Sequence, residues 1–240
     1  MSGQTHEDKI KTGTTTLGIV CKDGVVLAAD KRATAGNFIA NKTTEKVFPV
    51  ADNIAITIAG LVSDAQMLSK VFRAELKLRH LRSGEELNVK AAANLLAGMS
   101  YENIRKMSMV PGIVGFLLAG KDNTGYYLYE IGVDGSIFQQ ESFVSDGSGS
   151  VFAYGVLESS YKEGMSVDEG VELARKTVKT AMSRDSASGD GYDIYKIASD
   201  GLSHVETVKL SYKEWLTFFL FNFKFYFYII YFELFQYFRF

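Results

Sequence analysis

The chain has 240 residues, 47% of them hydrophobic and 22% charged, the composition of one ordinary globular domain large enough to bury most of its apolar surface. Its 26 basic and 28 acidic residues are scattered and leave a formal net charge of −2, which argues against nucleic acid or an anionic membrane as partner. Cys21 is the one cysteine, so no intrachain disulfide and no cysteine-based zinc site can form, and a reducing, cytoplasmic setting fits.

Met1 to Gly13 is polar and lacks the apolar core of a secretory signal, so it reads as a short leader of another kind. From Thr14 the pattern is strand-like as far as Cys21; Lys22-Asp23-Gly24 is a turn, and Val25 to Asp30 completes a hairpin. A turn at Ala51-Asp52-Asn53 joins a strand ending at Val50 to Ile54–Gly60. Ser63 is placed to cap a helix whose residues Met67, Val71, Ala74, Leu78 and Leu81 recur at three- and four-residue steps, predicting one buried face, with Ser83-Gly84 as its end. A second helix is predicted from Val89 to Ser108, with Met99, Met107 and Met109 packing it and its exit. Strands follow at Ile113–Ala119 and Tyr126–Val133 and after Asp134-Gly135, then helices at Ser150–Tyr161 and Val167–Arg184. A last hairpin pairs Tyr192–Ser199 with His204–Leu210 around Asp200-Gly201. Hairpins and helix pairs in this order each have an apolar face to bury, and two stacked antiparallel sheets between two helix layers bury them all. The expected fold is therefore α+β, a four-layer αββα sandwich.

Chemistry-bearing motifs lie along this frame. Gly13-Thr14-Thr15-Thr16-Leu17-Gly18 comes first, followed by Asp30-Lys31-Arg32-Ala33-Thr34, Lys46 and Ala59-Gly60-Leu61-Val62-Ser63-Asp64-Ala65-Gln66. Gly147-Ser148-Gly149-Ser150, Tyr154-Gly155-Val156-Leu157-Glu158 and Arg184-Asp185-Ser186-Ala187-Ser188-Gly189 complete the set. Taken singly each has an ordinary reading: Thr14 to Thr16 suits a strand start, Lys46 a solvated lysine, Asp30 a strand end, Gly60 a bend, and the two serine-rich segments loops or caps. His6, His80 and His204 are far apart in separate elements and suggest no metal site.

Together and in this order the motifs resemble those of proteasome β subunits, most closely the archaeal ones, over Gly13 to about Leu210. The resemblance implies an N-terminal-nucleophile hydrolase fold and a threonine endopeptidase released by autocatalytic cleavage between Gly13 and Thr14. Thr14 would be nucleophile and, through its new α-amine, its own base, since the reference pKa of an α-amino group is about 7.7–8.0. By resemblance Lys46 lies beside the Thr14 hydroxyl and Asp30 holds Lys46; Gly60 is the oxyanion donor, and Asp185, Ser188 and Ser148 surround the amine. Ala33, Ile58 and Val62 would help line an apolar pocket for the residue before the scissile bond. No metal or organic cofactor is implied. The implied partners are proteasome α subunits and other β subunits in stacked seven-membered rings, an ATP-dependent unfoldase and unfolded polypeptide. A ring-building subunit without activity and a different N-terminal-nucleophile hydrolase are the rival readings.

The implied organisation is a propeptide at 1–13, a catalytic domain at 14–213 and an atypical tail at 214–240. Residues 216–240 hold ten phenylalanines and four tyrosines, and Phe219, Phe221, Phe223, Phe225 and Phe227 alternate as on an aggregation-prone strand. The longest uncharged run there, Trp215 to Phe223, is nine residues, well under the roughly 18 a membrane-spanning helix needs. A shifted or missed stop in AT-rich sequence is the leading explanation of this segment, and a membrane anchor the alternative.

Overall fold

The computed structural model describes residues 13–85 and 88–210. The described residues up to Val208 form one unit; a second runs from Lys209 to Phe240, and only its first two residues are described. The propeptide as far as residue 12 and the aromatic segment after 210 thus lie outside the described residues.

Twelve strands and four helices alternate in blocks among the described residues. β1 (Thr16–Cys21), β2 (Gly24–Asp30), β3 (Ala33–Ala35), β4 (Phe38–Asn41), β5 (Val47–Ala51) and β6 (Ile54–Gly60) precede α1 (Val62–Ser83) and α2 (Val89–Arg105). β7 (Val114–Asp122), β8 (Gly125–Ile131), β9 (Ile137–Gln140) and β10 (Phe143–Asp146) precede α3 (Ser150–Ser160) and α4 (Val167–Arg184), and β11 (Gly191–Ala198) and β12 (Gly201–Lys209) close the set. One antiparallel sheet has the order β10-β1-β2-β11-β12, a second β5-β6-β7-β8-β9, and β3-β4 forms a small separate ribbon.

Three apolar clusters show the expected four layers. Val25, Leu27 and Ala29 of β2 meet Ala55, Leu117, Ala119 and Leu128 between the sheets. Alternate residues of the same strands, Leu17, Ile19, Val26 and Ala28, pack outward on Ala153, Leu157, Val171, Ala174 and Val178 of α3 and α4. Ile54, Ile56, Phe116 and Leu118 pack outward on Phe72, Leu76, Leu96 and Ala93 of α1 and α2. A strand apolar on both faces is what a sheet sandwiched between two other layers requires, because the two-residue period sends neighbours to opposite sides.

Local signals explain most boundaries. α4 opens with a capping box in which the Ser166 hydroxyl accepts from the Glu169 amide and the Glu169 carboxylate accepts from the Ser166 amide. Asn88 caps α2 by accepting from Ala91 N at 2.7 Å, and Gly84 ends α1 in the left-handed conformation with φ 71°.

Three expectations need correction, and three short strands were not anticipated. Ser63 lies inside α1; Leu61 is the N-cap and contributes no side-chain bond, while Ser63 Oγ donates to Asp64 Oδ2. The buried face of α1 is Ala65, Leu68, Ser69, Phe72 and Leu76, and the stripe of Met67, Val71, Ala74, Leu78 and Leu81 is exposed. α2 ends at Arg105, three residues short of the expected Ser108, and Met107 and Met109 are fully exposed beyond it, although Met99 packs against the core. β3, β4 and β10 have too few residues to register as periodic segments.

Candidate functional site

The ends of several elements converge near Thr14. Thr14 and Thr15 lead into β1, Asp30 is the last residue of β2, Lys46 directly precedes β5, and Gly60 ends β6. Sheet pairing sets β1 against β2, so that Thr15 N donates to Asp30 Oδ1 at 2.9 Å. In the other sheet Ile58 N donates to the Lys46 carbonyl at 3.0 Å, which brings Lys46 beside the end of β6. Lys46 Nζ then crosses between the sheets to Asp30 Oδ1 at 2.7 Å, and both side chains are almost fully buried.

Asp30 is held on both oxygens. Oδ1 accepts from Thr15 N and Lys46 Nζ, and Oδ2 accepts from Arg32 N at 3.0 Å and Gly189 N at 2.9 Å. Burial pushes the Asp30 carboxyl above its usual range, against the opposing pull of Lys46 and the two amides. Burial likewise pulls the Lys46 ammonium below the ordinary lysine value, while Asp30 and Asp185 pull it back up. The result is a lysine whose proton is held less firmly than one in water.

A second network surrounds the Thr14 nitrogen. Thr14 N donates to Ser148 Oγ at 3.2 Å, Ser148 Oγ donates to Asp185 Oδ2 at 2.6 Å, and Ser188 Oγ donates to the same oxygen at 2.6 Å. Thr15 Oγ1 and Ser188 Oγ are 2.7 Å apart. Since Ser188 has one hydroxyl proton and gives it to Asp185, Thr15 is the donor in that bond. Ser148 sits in the turn between β10 and α3, and Asp185 is the C-cap of α4, so helix ends and not strand faces supply this group.

The Thr14 hydroxyl donates to the Gly13 carbonyl oxygen at 2.7 Å. Gly13 N donates to Thr34 Oγ1 at 2.8 Å. A small recess of about 10 Å³, room for about one water, is lined by Gly13, Thr14, Ala33, Thr44, Lys46, Ile58, Gly60 and Val62. Gly60 has φ 125°, and a Cβ there would lie 2.2 Å from the Ile113 carbonyl oxygen, so only glycine fits. A larger recess of about 380 Å³ lies between the β5–β6 turn and α1, lined in part by Arg73, Lys77 and His80, and holds none of these residues.

All seven residues singled out for chemistry, and all three for the pocket, therefore lie in two linked networks or on one recess. The segment from Asp30 to Thr34 contributes more than was assigned to it. Besides Asp30 at the centre, Lys31 pairs with buried Asp193, Arg32 bonds Asp190 and Ser186, Ala33 lines the recess, and Thr34 holds Gly13. Thr15, Arg32 and Thr34 lie within motifs singled out in the sequence but carried no role there, and Thr44 lies outside every motif. Among the described residues no cluster of His, Cys, Asp and Glu could hold a metal ion, and no helix is long and apolar enough to cross a membrane. His204 Nε2 lies 2.9 Å from Thr207 Oγ1, and His80 Nδ1 lies 3.3 Å from the Glu85 carbonyl.

Comparison with known proteins bears on this arrangement. A family model described as "Proteasome subunit" matches residues 10–197. A protein of Archaeoglobus profundus called "Proteasome subunit beta" is 47% identical over 195 residues, 81% of this chain and 89% of that protein. Proteins of the same description from Methanohalophilus mahii and Methanobrevibacter smithii are 45% and 43% identical, covering 83% and 85% of this chain and 93% and 97% of theirs.

Proposed function

This chain belongs to the proteasome subunit family, as a β subunit of the core assembly, and from that footing we propose that it is a threonine endopeptidase that matures by cutting its own Gly13–Thr14 bond. The observation that carries the reading is the position of Thr14: its hydroxyl bonds the carbonyl of the residue to be removed, while its nitrogen already sits on the Ser148–Asp185 network.

In maturation, Thr14 Oγ1 bonds to the Gly13 carbonyl carbon and the C–N bond breaks. The nitrogen leaves as an amine carrying the proton the hydroxyl gave up, and water then hydrolyses the Gly13 ester. This releases residues 1–13 and frees the Thr14 hydroxyl and α-amine. The amine then serves as base when the same hydroxyl attacks a substrate peptide carbonyl, forming an acyl-ester that water resolves. Lys46, held by Asp30, favours the developing negative oxygen, and the Gly60 amide receives the charge of the tetrahedral intermediate. Ser148, Asp185 and Ser188 orient the amine and return its proton. Ala33, Ile58 and Val62 have no acid or base among them, which supports an apolar preference, and the recess they bound must widen beyond its present room for about one water to take a side chain.

The subunit works without metal or organic cofactor, in the cytoplasm, within stacked seven-membered β and α rings fed with unfolded polypeptide by an ATP-driven unfoldase. The catalytic domain spans 14–213, and residues 214–240 lie outside it. Intact-mass analysis of assembled particles tests the core of this. Wild-type chains should begin at Thr14 and cleave peptides, and Thr14→Ala chains should retain residue 13 and be inactive. A Thr14→Ala particle that still cleaves peptides, or an active wild-type chain beginning before Thr14, refutes it.

A further inference from the structure

The segment just after α4 lies against Gly13, the residue before the nucleophile. If Gly13 carried a Cβ, that atom would lie 1.8 Å from the Ala187 Cβ, 2.9 Å from its Cα and 3.1 Å from its carbonyl carbon. The demand for glycine here is one of space, since the three atoms a Cβ would meet first all belong to Ala187. We propose that Ala187 is a specificity-determining residue for self-processing, a steric gate that admits glycine alone at the residue before Thr14. The proposal rests on the maturation reading above.

For such a gate to select, the wall must not yield, and three contacts hold it. Ala187 N donates to Asp185 Oδ1 at 3.1 Å, fixing the residue to the end of α4. Arg32 Nη1 donates to the Ser186 carbonyl at 2.8 Å, and Arg32 Nε pairs with Asp190 Oδ2 at 2.7 Å, so one side chain from beyond β2 clamps the segment before and after Ala187. Asp190, with φ 61°, is the one non-glycine residue of positive φ among the described residues, a conformation that persists when its surroundings hold it. On the opposite side Gly13 N is bonded to Thr34 Oγ1 and the Gly13 carbonyl accepts from the Thr14 hydroxyl, so Gly13 can retreat only by giving up the contact that aligns its carbonyl for attack. A side chain at residue 13 therefore points at Ala187 and not into the recess lined by Ala33, Ile58 and Val62. The pose in which the chain cuts itself differs from one in which a substrate side chain fills that recess.

The test uses the full chain and follows conversion to the Thr14 terminus by intact mass. Overpacking of this size slows Gly13→Ala roughly tenfold to a hundredfold relative to wild type. Adding Ala187→Gly removes the 1.8 Å contact, leaves the 2.9 Å one, and so recovers most but not all of the rate. In a Thr14→Ala background, where nothing is processed, Gly13→Ala lowers the melting temperature of the precursor and Ala187→Gly restores it, which reports the clash independently of catalysis. Gly13→Ala processed at the wild-type rate, or a Gly13→Ala/Ala187→Gly chain no faster than Gly13→Ala with no recovery of melting temperature, overturns the gate. Failure of the wild-type chain to process at all refutes the maturation reading instead.

Discussion

Replacing Asp30 by asparagine separates the charge on this residue from its shape. The carboxylate accepts four hydrogen bonds, two on each oxygen. An asparagine amide has one oxygen, so whichever way it turns, its NH2 faces two buried donors: Arg32 N and Gly189 N, or Thr15 N and Lys46 Nζ. Each buried donor left without an acceptor costs about 1–3 kcal/mol. Lys46 also loses its partner, and breaking a buried pair costs about 3–5 kcal/mol when one member is removed. Because the lysine can shed its proton, the two figures overlap, and about 3–5 kcal/mol in all is the expected loss. At about 2–4 °C per kcal/mol for a domain of this size, Asp30→Asn should melt roughly 6–20 °C lower. Lys46→Ala should cost less, since Asp30 keeps three backbone donors, yet it should abolish peptidase activity while leaving the fold intact. Thermal unfolding in the Thr14→Ala background keeps maturation out of the measurement, and peptide hydrolysis by assembled particles gives the activity. An Asp30→Asn chain melting within about 2 °C of its parent, a Lys46→Ala chain destabilised more than Asp30→Asn, or near wild-type hydrolysis by Lys46→Ala would each refute the reasoning.

Cleavage after leucine or tyrosine should exceed cleavage after lysine or glutamate, measured with matched fluorogenic peptides, and the reverse order would show that Ala33, Ile58 and Val62 do not set the preference. The Cys21 thiol is buried and its pKa is pushed up to about 12, first by burial and then by Asp23 and Glu169, so native protein should resist iodoacetamide at pH 8 and react only on unfolding. Burial also raises the Asp146 carboxyl, against one bond from Gly147 N. A carboxyl whose native pKa exceeds its unfolded one favours folding at acid pH, and that contribution is lost as pH rises through the native value. Asp146→Asn should then raise the melting temperature at pH 7, with a gain that shrinks as the pH is lowered; a gain that grows on acidification contradicts the assignment.

The legible part of this protein was its alternation and its motifs. Strands such as Val25 to Asp30 read as short apolar runs between turns, and a helix terminator such as Gly84 acts within a few residues of itself. That Thr14, Asp30, Lys46, Gly60, Ser148, Asp185 and Ser188 would gather in one place was also legible, because six separated motifs in one order leave little room for coincidence.

What the sequence could not decide was which of two equivalent choices the packed molecule makes. α1 carries two apolar stripes at helical spacing, Ala65-Leu68-Phe72-Leu76 and Met67-Val71-Ala74-Leu78-Leu81, and periodicity alone cannot rank them. The first is buried because it is the stripe that meets β5 and β6, and this depends on how the chain leaves Gly60. Distances between segments far apart in the chain were equally out of reach. That Arg32 clamps residues 186 and 190, that Thr34 holds Gly13, and that Ala187 fills the space where a side chain at 13 would go follow only once two sheets and the end of α4 are set against each other. A sequence names the groups that can react. The closeness that lets them react, and that excludes what does not fit, is a property of packing between segments that share no local pattern.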